Sequence, residues 1–231
     1  MSDFNLEKFF FNNNSIMIGV DEVGRGSWAG PIVAAACWIN FQNYKLLSKD
    51  INDSKKISSK TRKKIILSLN NSVKYSSAIS TPEEIDRYGL TVANLMAMKR
   101  SLYCLFQSFN ENTIKKRLKF QVYVDGNYKP DFSNIDITFK KNNIIKLDPH
   151  ELHCLVKGDE KSKTIALASI IAKETRDSIM RNYSIKYSQY KFNSHFGYGT
   201  VKHREAILKY GITPIHRKSF KPISTIYSAL K

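Results

Sequence analysis

The chain has 231 residues, 42% of them hydrophobic, so it can bury a substantial core as one large domain or as one domain with a small appendage. Thirty-seven Lys and Arg against 20 Asp and Glu leave a formal charge of +17, which points to a polyanionic partner, nucleic acid above all, although a general richness in Lys, Asn and Ile accounts for part of the excess. No apolar run approaches the ~20 residues of a membrane span, and the N-terminus lacks the basic and apolar regions of a signal peptide. Cys37, Cys104 and Cys154 are odd in number, form no C-x-x-C pair and lie in apolar contexts, as buried reduced thiols of a reducing cytosol would.

The stretch 16–31 opens the ordered part of the chain. Its first apolar run ends on Asp21 and Glu22, a turn containing Gly24-Arg25-Gly26 follows, and Gly30-Pro31 leads into a second apolar run, 32–39. Both runs are short and partly β-branched, so both are predicted strands. Alternation along a strand sends Asp21 and Glu22 to opposite faces, so they are expected to do different work. Two acids at the tip of a core strand are costly unless something pairs with them, and a divalent cation is one such partner. Gly24 and Gly26 let a backbone come close to a ligand, consecutive N–H groups in such a turn can cradle an anion, and Arg25 suits a phosphate. A tight hairpin with Arg25 in solvent fits the same residues.

Farther on, 52–58 is polar and turn-like and presents Lys55 and Lys56 together. Ser58 or Ser59 caps a helix to about residue 70, with Ile65, Ile66 and Leu69 inward; 73–79 suits an edge strand. Thr81-Pro82-Glu83-Glu84 starts a helix, and 91–109 forms the next, with Leu95, Met98, Leu102, Leu105 and Phe106 as its core stripe. A strand at 120–124 stops at Asp125-Gly126, where a plain Asp-Gly turn is the simpler local reading. Residues 128–150 are irregular, with a hairpin turn expected at Lys140-Lys141-Asn142-Asn143; His150 and His153 lack further ligands for a metal. The strand 152–156 again ends near Gly158 and Asp159. Ser162 begins a long helix to about 186, with Ile165, Ala168, Ser169, Ala172, Ile179 and Tyr183 as its buried stripe and Asp177 as a surface acid or competing carboxylate. The last fifth holds a loop with Tyr198, either exposed or a wedge that packs the loop, a helix over 201–210 and a cationic turn, 216–222; aromatics among cations suit a surface that holds a nucleic-acid backbone.

Taken together, strands ending in Asp21-Glu22, Asp125 and Asp159 alternate with helices, and in an α/β sheet such ends converge on one edge. Four carboxylates gathered there would repel one another without cations, and oxygen-only ligation favours Mg²⁺ or Mn²⁺. Two ions ~3.5–4 Å apart would clamp the attacking and leaving oxygens of a phosphoryl displacement.

The sequence closely resembles bacterial ribonuclease HII, the type 2 ribonuclease H. The matching pieces are Gly19-Val20-Asp21-Glu22-Val23-Gly24-Arg25-Gly26 through Gly30-Pro31, Asn52-Asp53-Ser54-Lys55-Lys56, Val124-Asp125-Gly126-Asn127, Lys157-Gly158-Asp159, Ala168-Ser169-Ile170-Ile171-Ala172-Lys173 through Thr175-Arg176-Asp177, Gly197-Tyr198 and His216-Arg217-Lys218-Ser219-Phe220, in family order over most of the chain. The resemblance implies an α/β, RNase H-like fold: a central mixed β-sheet flanked by helices, in a single domain spanning 1–231, with a core over about 15–185 and a helical, substrate-binding C-terminal portion over about 186–231. It implies endonucleolytic cleavage of RNA in RNA–DNA hybrids and 5′ of ribonucleotides embedded in duplex DNA, leaving 3′-hydroxyl and 5′-phosphate ends, in ribonucleotide excision repair and DNA replication. Carried onto this chain, Asp21, Glu22, Asp125 and Asp159 are the catalytic, metal-binding carboxylates, Asp159 being preferred to Asp177, and two Mg²⁺ or Mn²⁺ ions act with substrate bound. The backbone of Gly24, Arg25 and Gly26 reads the ribose 2′-hydroxyl, Tyr198 stacks on the following sugar, and Lys55 and Lys56 contact phosphates. A cytoplasmic monomer without membrane contact is expected; the tail 223–231 has no convincing sliding-clamp motif. Two departures stand out: 109–119 and 139–151 are longer than in compact members, and Glu174 replaces a usually apolar residue. Ribonuclease HIII differs at the Arg25 position and carries an extra N-terminal domain, whereas about fifteen residues precede the first strand here. Another two-metal nuclease of the same fold would have no use for a 2′-hydroxyl reader, and a non-catalytic basic module would have no use for the four acids.

Overall fold

A computed structural model describes residues 5–47, 50–51, 57–69, 71–109, 119–132 and 151–229. Lys55, Lys56, His150, the expected turn at 140–143 and most of 109–119 and 139–151 lie outside the described residues. After a short helix α1 (Asn5–Asn12), strands β1 (Ser15–Val23) and β2 (Ile32–Ile39) form an antiparallel pair. A 3₁₀ turn (Phe41–Leu46) and helix α2 (Ser59–Leu67) lead to β3 (Val73–Ser80), which pairs antiparallel with β2. Then come α3 (Pro82–Gln107), β4 (Lys119–Asp125), β5 (Leu152–Leu155), a single turn α4 (Gly158–Lys161) and the long α5 (Lys163–Lys186). A 3₁₀ turn (Ser188–Tyr190), α6 (Phe192–His195), α7 (Val201–Tyr210) and α8 (Ile223–Ala229) complete the order.

The five strands run β3-β2-β1-β4-β5, with β1 parallel to β4 and β4 parallel to β5. The sheet is thus mixed, with β1 at its centre. Alternation along β1 sorts its side chains: Ile16, Ile18 and Val20 join Ile32, Ala34 and Ala36 in a core shared with Ala93, Ala97, Met98, Leu102 and Leu105 of α3. The opposite sheet face, with Ala35, Cys37 and Ile39, packs against Ala166, Leu167, Ile170 and Ile171 of α5. Helix α5 lies so close to β1 that a Cβ on Gly19 would meet the Ile165 backbone nitrogen at 2.7 Å.

Local chemistry sets the helix boundaries. Ser58 accepts from the Thr61 amide at 3.1 Å and Ser162 from the Ile165 amide at 3.2 Å, each capping its helix. Thr81 and Glu84 form a reciprocal capping box. Gly89 breaks α3 with φ 80° and ψ 161°, so the two helices expected on either side of residue 90 stand nearly end to end. Arg100 spans this break with bidentate bonds to Glu84 at 2.6 and 2.9 Å.

Several expectations are corrected. On α5 the buried stripe continues through Met180, while Ile179 and Tyr183 are half-buried. Asp177 is no surface acid: it is 1% exposed and bound by Arg62 at 2.8 Å and Lys173 at 2.6 Å. Glu174, on the same flank, receives Ser59 at 3.0 Å and Arg62 at 3.4 Å, so its charge serves to tie α2 to α5. Cys104 is exposed and Cys154 half-buried, leaving Cys37 as the fully buried thiol.

Beyond α5, Tyr190, Phe192, Ile207, Ile215 and Ile223 pack with Ala29 and Met180. Three histidines are buried in this layer. A carbonyl can only accept and a backbone amide can only donate, and these partners fix the protons. His195 gives its Nε2 proton to Tyr190 O and accepts at Nδ1 from Gly197 N–H. His203 gives its Nδ1 proton to Tyr198 O and accepts at Nε2 from His216, whose Nδ1 receives the Thr213 amide. All three are held neutral. Burial lowers His203 to about 4, and burial with the His203 charge lowers His216 to about 3.

Since the unfolded chain takes up these protons near pH 6.5 and the folded chain does not, the stabilisation is complete above that pH and is lost as pH falls toward 4. Urea unfolding midpoints should decline through this window, and a His216→Gln variant should show a shallower decline. Equal slopes for the two proteins would contradict neutral burial.

Candidate active site at the sheet edge

The C-terminal ends of β1, β4 and β5 reach the same edge. Register places Val20 opposite Val124 and Asp125 opposite Leu155, so Asp21 and Asp125 follow one another across neighbouring parallel strands. Asp21 projects to the α5 side, where Ser169 hydrogen-bonds it, and its Oδ1 also accepts the Glu22 amide at 2.7 Å. Glu22, on the other face, lines a cleft of about 360 Å³ with Arg25, Asn94, Met98, Asp125 and Tyr128. The two adjacent acids therefore do face different surroundings, as strand alternation requires.

Burial first, and then the charges of Glu22 and Asp125, push the Asp21 carboxyl well above the usual carboxylate range. Burial raises Glu22 as well, opposed by Arg25, whose guanidinium lies 3.2 Å from Glu22 Oε1. The other oxygen, Oε2, is buried without a partner. Asp125 accepts the Gly158 amide at 2.7 Å, which ties it to the turn carrying Asp159, a half-buried residue one position on. Among the described residues, no three His, Cys, Asp or Glu side chains are disposed to hold a metal ion unaided. The donor set nevertheless fits a hard divalent cation: clustered carboxylates, with Asp21 and Glu22 raised by burial and by neighbouring charge, and one oxygen left without a partner.

The loop after β1 is held from beneath by two arginines that are 0% exposed. Arg217 donates to Gly24 O at 2.7 Å, Arg25 O at 2.8 Å and Gly30 O at 2.9 and 3.0 Å. Arg176 donates to Pro31 O at 2.9 Å, Ala29 O at 3.1 Å, Ser27 Oγ at 2.7 Å and Phe196 O at 2.9 Å. In a trans peptide the C=O and the following N–H point in opposite directions. With the Gly24 and Arg25 carbonyls drawn to Arg217, the Arg25 and Gly26 N–H groups are aimed away from it. Gly24 has φ 94°, and a Cβ there would stand 2.2 Å from Arg176 Nε; a Cβ on Gly26 would meet nothing within 4 Å. One glycine is thus required by the arginine beneath, and the other keeps the outer side of the loop open.

Arg217 was expected in a cationic surface turn, yet it is buried, and burial together with the Arg176 charge brings it down to about 9. The turn itself is pinned by Asp86, which accepts the Lys218 and Ser219 amides at 2.9 Å each. Tyr198 is half-buried rather than exposed, with the Arg176 guanidinium 5.3 Å from its ring centre. Neither Arg176 nor Arg217 is distinguishable from a surface cation by local sequence, because their partners, mostly backbone carbonyls, are remote in the chain.

Comparison with known proteins agrees with this geometry. The family model described as Ribonuclease HII matches residues 18–223. The chain belongs to the ribonuclease HII family. Members of that family are endonucleases, hydrolases that cut the RNA strand of RNA–DNA hybrids. The Ribonuclease HII of Ehrlichia ruminantium (strain Welgevonden) is 40% identical over 98% of this chain and 97% of its own length. Among solved structures, the ribonuclease H2 from Pyrococcus horikoshii OT3 is 25% identical, with a TM-score of 0.66 over 93% of this chain and 98% of that one. A Bst-RNase HIII in complex with Mn²⁺ shares the fold at 19% identity, with a TM-score of 0.68 over 94% of this chain and 71% of its own. No helix among the described residues is long and apolar enough to cross a membrane.

Replacing Arg217 with Lys keeps the charge but loses the planar fork that reaches three carbonyls. The variant should be less stable by about 2–3 kcal/mol, as expected for hydrogen bonds to a buried charge. Arg25→Ala, at a largely exposed side chain, should shift stability little. Urea denaturation measures both, and an unchanged midpoint for Arg217→Lys would contradict the role given to Arg217.

Proposed function

We propose that this ribonuclease HII family member cuts the RNA strand of RNA–DNA hybrids, and cuts 5′ of single ribonucleotides in duplex DNA, by metal-assisted in-line hydrolysis that leaves 3′-hydroxyl and 5′-phosphate ends. The observation that carries the reading is the convergence of Asp21, Glu22 and Asp125 beside a loop whose N–H side faces outward. Asp21, Glu22, Asp125 and Asp159 would hold the divalent ions, Mg²⁺ or Mn²⁺. The Mn²⁺ complex of the HIII relative supports that choice. When bound, two such ions supply the Lewis acidity that phosphodiester displacement requires.

The remaining roles belong to the chain itself. Ser169 and the Glu22 amide hold the Asp21 carboxylate in place, and the Gly158 amide holds Asp125. The Arg25 and Gly26 N–H groups would meet the ribose 2′-hydroxyl, the group that separates RNA from DNA. Rigid carbonyl anchoring by Arg217 makes this recognition preorganised. Tyr198, seated on Arg176, would stack on the neighbouring sugar. Exposed Lys202, Arg204 and Lys209 of α7 extend a cationic surface over the C-terminal portion, which we assign to duplex binding. Lys55 and Lys56 are assigned to phosphate contacts on the family resemblance alone.

A labelled duplex with one embedded ribonucleotide, beside an all-DNA control, tests the reading. One metal-dependent cut just 5′ of the ribonucleotide, abolished by chelator and absent from the control, is expected. Cutting of both duplexes would reject ribose recognition. Asp21→Asn should lower cleavage by more than ~100-fold, beyond the usual loss for an outer-shell partner, while hybrid affinity stays within a few fold. Normal turnover by that variant would remove Asp21 from the mechanism.

A further inference from the structure

Helix α1 lies ahead of the residues that the family model matches, yet it reaches the catalytic edge through a continuous set of hydrogen bonds. Phe10 seats the helix against Met17, Ile165 and Tyr123. One turn earlier, Glu7 is only 4% exposed. Its Oε1 accepts from Ser162 Oγ at 2.7 Å and from the Thr164 amide at 2.9 Å. Ser162 is at once the cap of α5 and the closing residue of α4, since its own amide donates to Gly158 O at 2.8 Å. Gly158 in turn donates to Asp125 Oδ1 at 2.7 Å. The path from Glu7 to a site carboxylate is therefore Glu7, Ser162, Gly158, Asp125, and Asp159 rides on the same turn.

Space at this corner is tight. A Cβ on Gly158 would meet Ile165 Cδ1 at 2.7 Å and Asp125 Oδ1 at 3.2 Å, and Gly19 is pressed on the Thr164–Ile165 backbone two residues before Asp21. The corner can shift only if it carries the carboxylates with it. A buried carboxylate is an expensive way to anchor a helix that Phe10 already seats. Its second oxygen and the nearby Thr164 Oγ1 are both buried without partners, so the arrangement is not the most stable one available. What it does supply is a charge-assisted acceptor that fixes the first turn of α5 from outside the sheet.

We infer that Glu7 is a positioning residue for the metal-binding carboxylates: through Ser162 and Gly158 it sets where Asp125 and Asp159 stand. The inference rests on the metal-site reading above, and its test separates the two. Mn²⁺ binding is measured by calorimetry on the full chain without nucleic acid, and the Mn²⁺ concentration for half-maximal hybrid cleavage is measured in parallel. Glu7→Ala should weaken Mn²⁺ binding about tenfold, the lower end of outer-shell effects, with cleavage at saturating Mn²⁺ within about twofold of wild type. Glu7→Gln keeps the Oε1 acceptor without its charge, so it should recover part of the Mn²⁺ affinity that Glu7→Ala loses. Ser162→Ala, which removes one link and leaves Glu7 in place, should weaken binding in the same direction by about threefold or more. A lowered thermal midpoint in Glu7→Ala with unchanged Mn²⁺ affinity would show a merely structural role and overturn the inference, as would unchanged affinity in Ser162→Ala. Absence of both Mn²⁺ binding and Mn²⁺-dependent hybrid cleavage by the wild-type chain would instead overturn the metal-site reading beneath it.

Discussion

A carboxylate buried on a central strand is unstable in its charged form unless something compensates it. Asp21 is 7% exposed, lies beside Glu22 and Asp125, and is raised well above the usual range. The local hydrogen bonds, from Ser169 and the Glu22 amide, offset only part of that cost. Much of the surrounding structure serves to keep the arrangement from relaxing. The parallel register of β1 and β4 fixes the spacing of Asp21 and Asp125, α5 presses on Gly19 from one side, and α3 closes the other. On the proposed reading a divalent ion is the partner that relieves such a cluster, and the nuclease chemistry would follow from holding it in place.

The second constraint is the treatment of the loop between β1 and β2. Two buried guanidiniums take up its carbonyls, so that the loop is fixed from within and the Arg25 and Gly26 N–H groups are aimed away from Arg217. These arginines come from α5 and from the segment before α8, so catalytic edge and C-terminal layer are joined through the loop itself. Neutral histidines continue the join: the His203 proton goes to Tyr198 O, while the amide of Tyr198 bonds His195 O at 2.9 Å. The acid carboxylates, the loop after β1 and Tyr198 are thereby parts of one packed body rather than separate surface features.

Much of this was legible in the sequence because it rests on local periodicity. The strand over 32–39 is found with those bounds, as is the helix over 201–210. Alternation correctly separates Asp21 from Glu22, and β4 does end at Asp125 beside Gly126, whereas Asp159 lies on the α4 turn, four residues past the end of β5. What stayed hidden is the fate of charges whose partners are remote. Arg217 reads as a solvent cation because backbone carbonyls some 190 positions away carry no sequence signal. Asp177 reads as a surface acid for the same reason, its partner Arg62 being on α2. The histidine network and Glu7 escape notice because each bond is made across elements that only the fold brings together. The seating of Tyr198 on Arg176 escapes notice in the same way.

The central claim is that the four acids at the sheet edge form one metal site. Its most direct measurement is a crystal structure of the enzyme with Mn²⁺ and an uncleavable hybrid, with manganese located by anomalous scattering. The account predicts manganese within ~2.1 Å of carboxylate oxygens from Asp21, Glu22, Asp125 and Asp159, a distance usual for small hard cations, with Asp21 shared between two ions. Manganese bound elsewhere, or bound without Asp21, would contradict it.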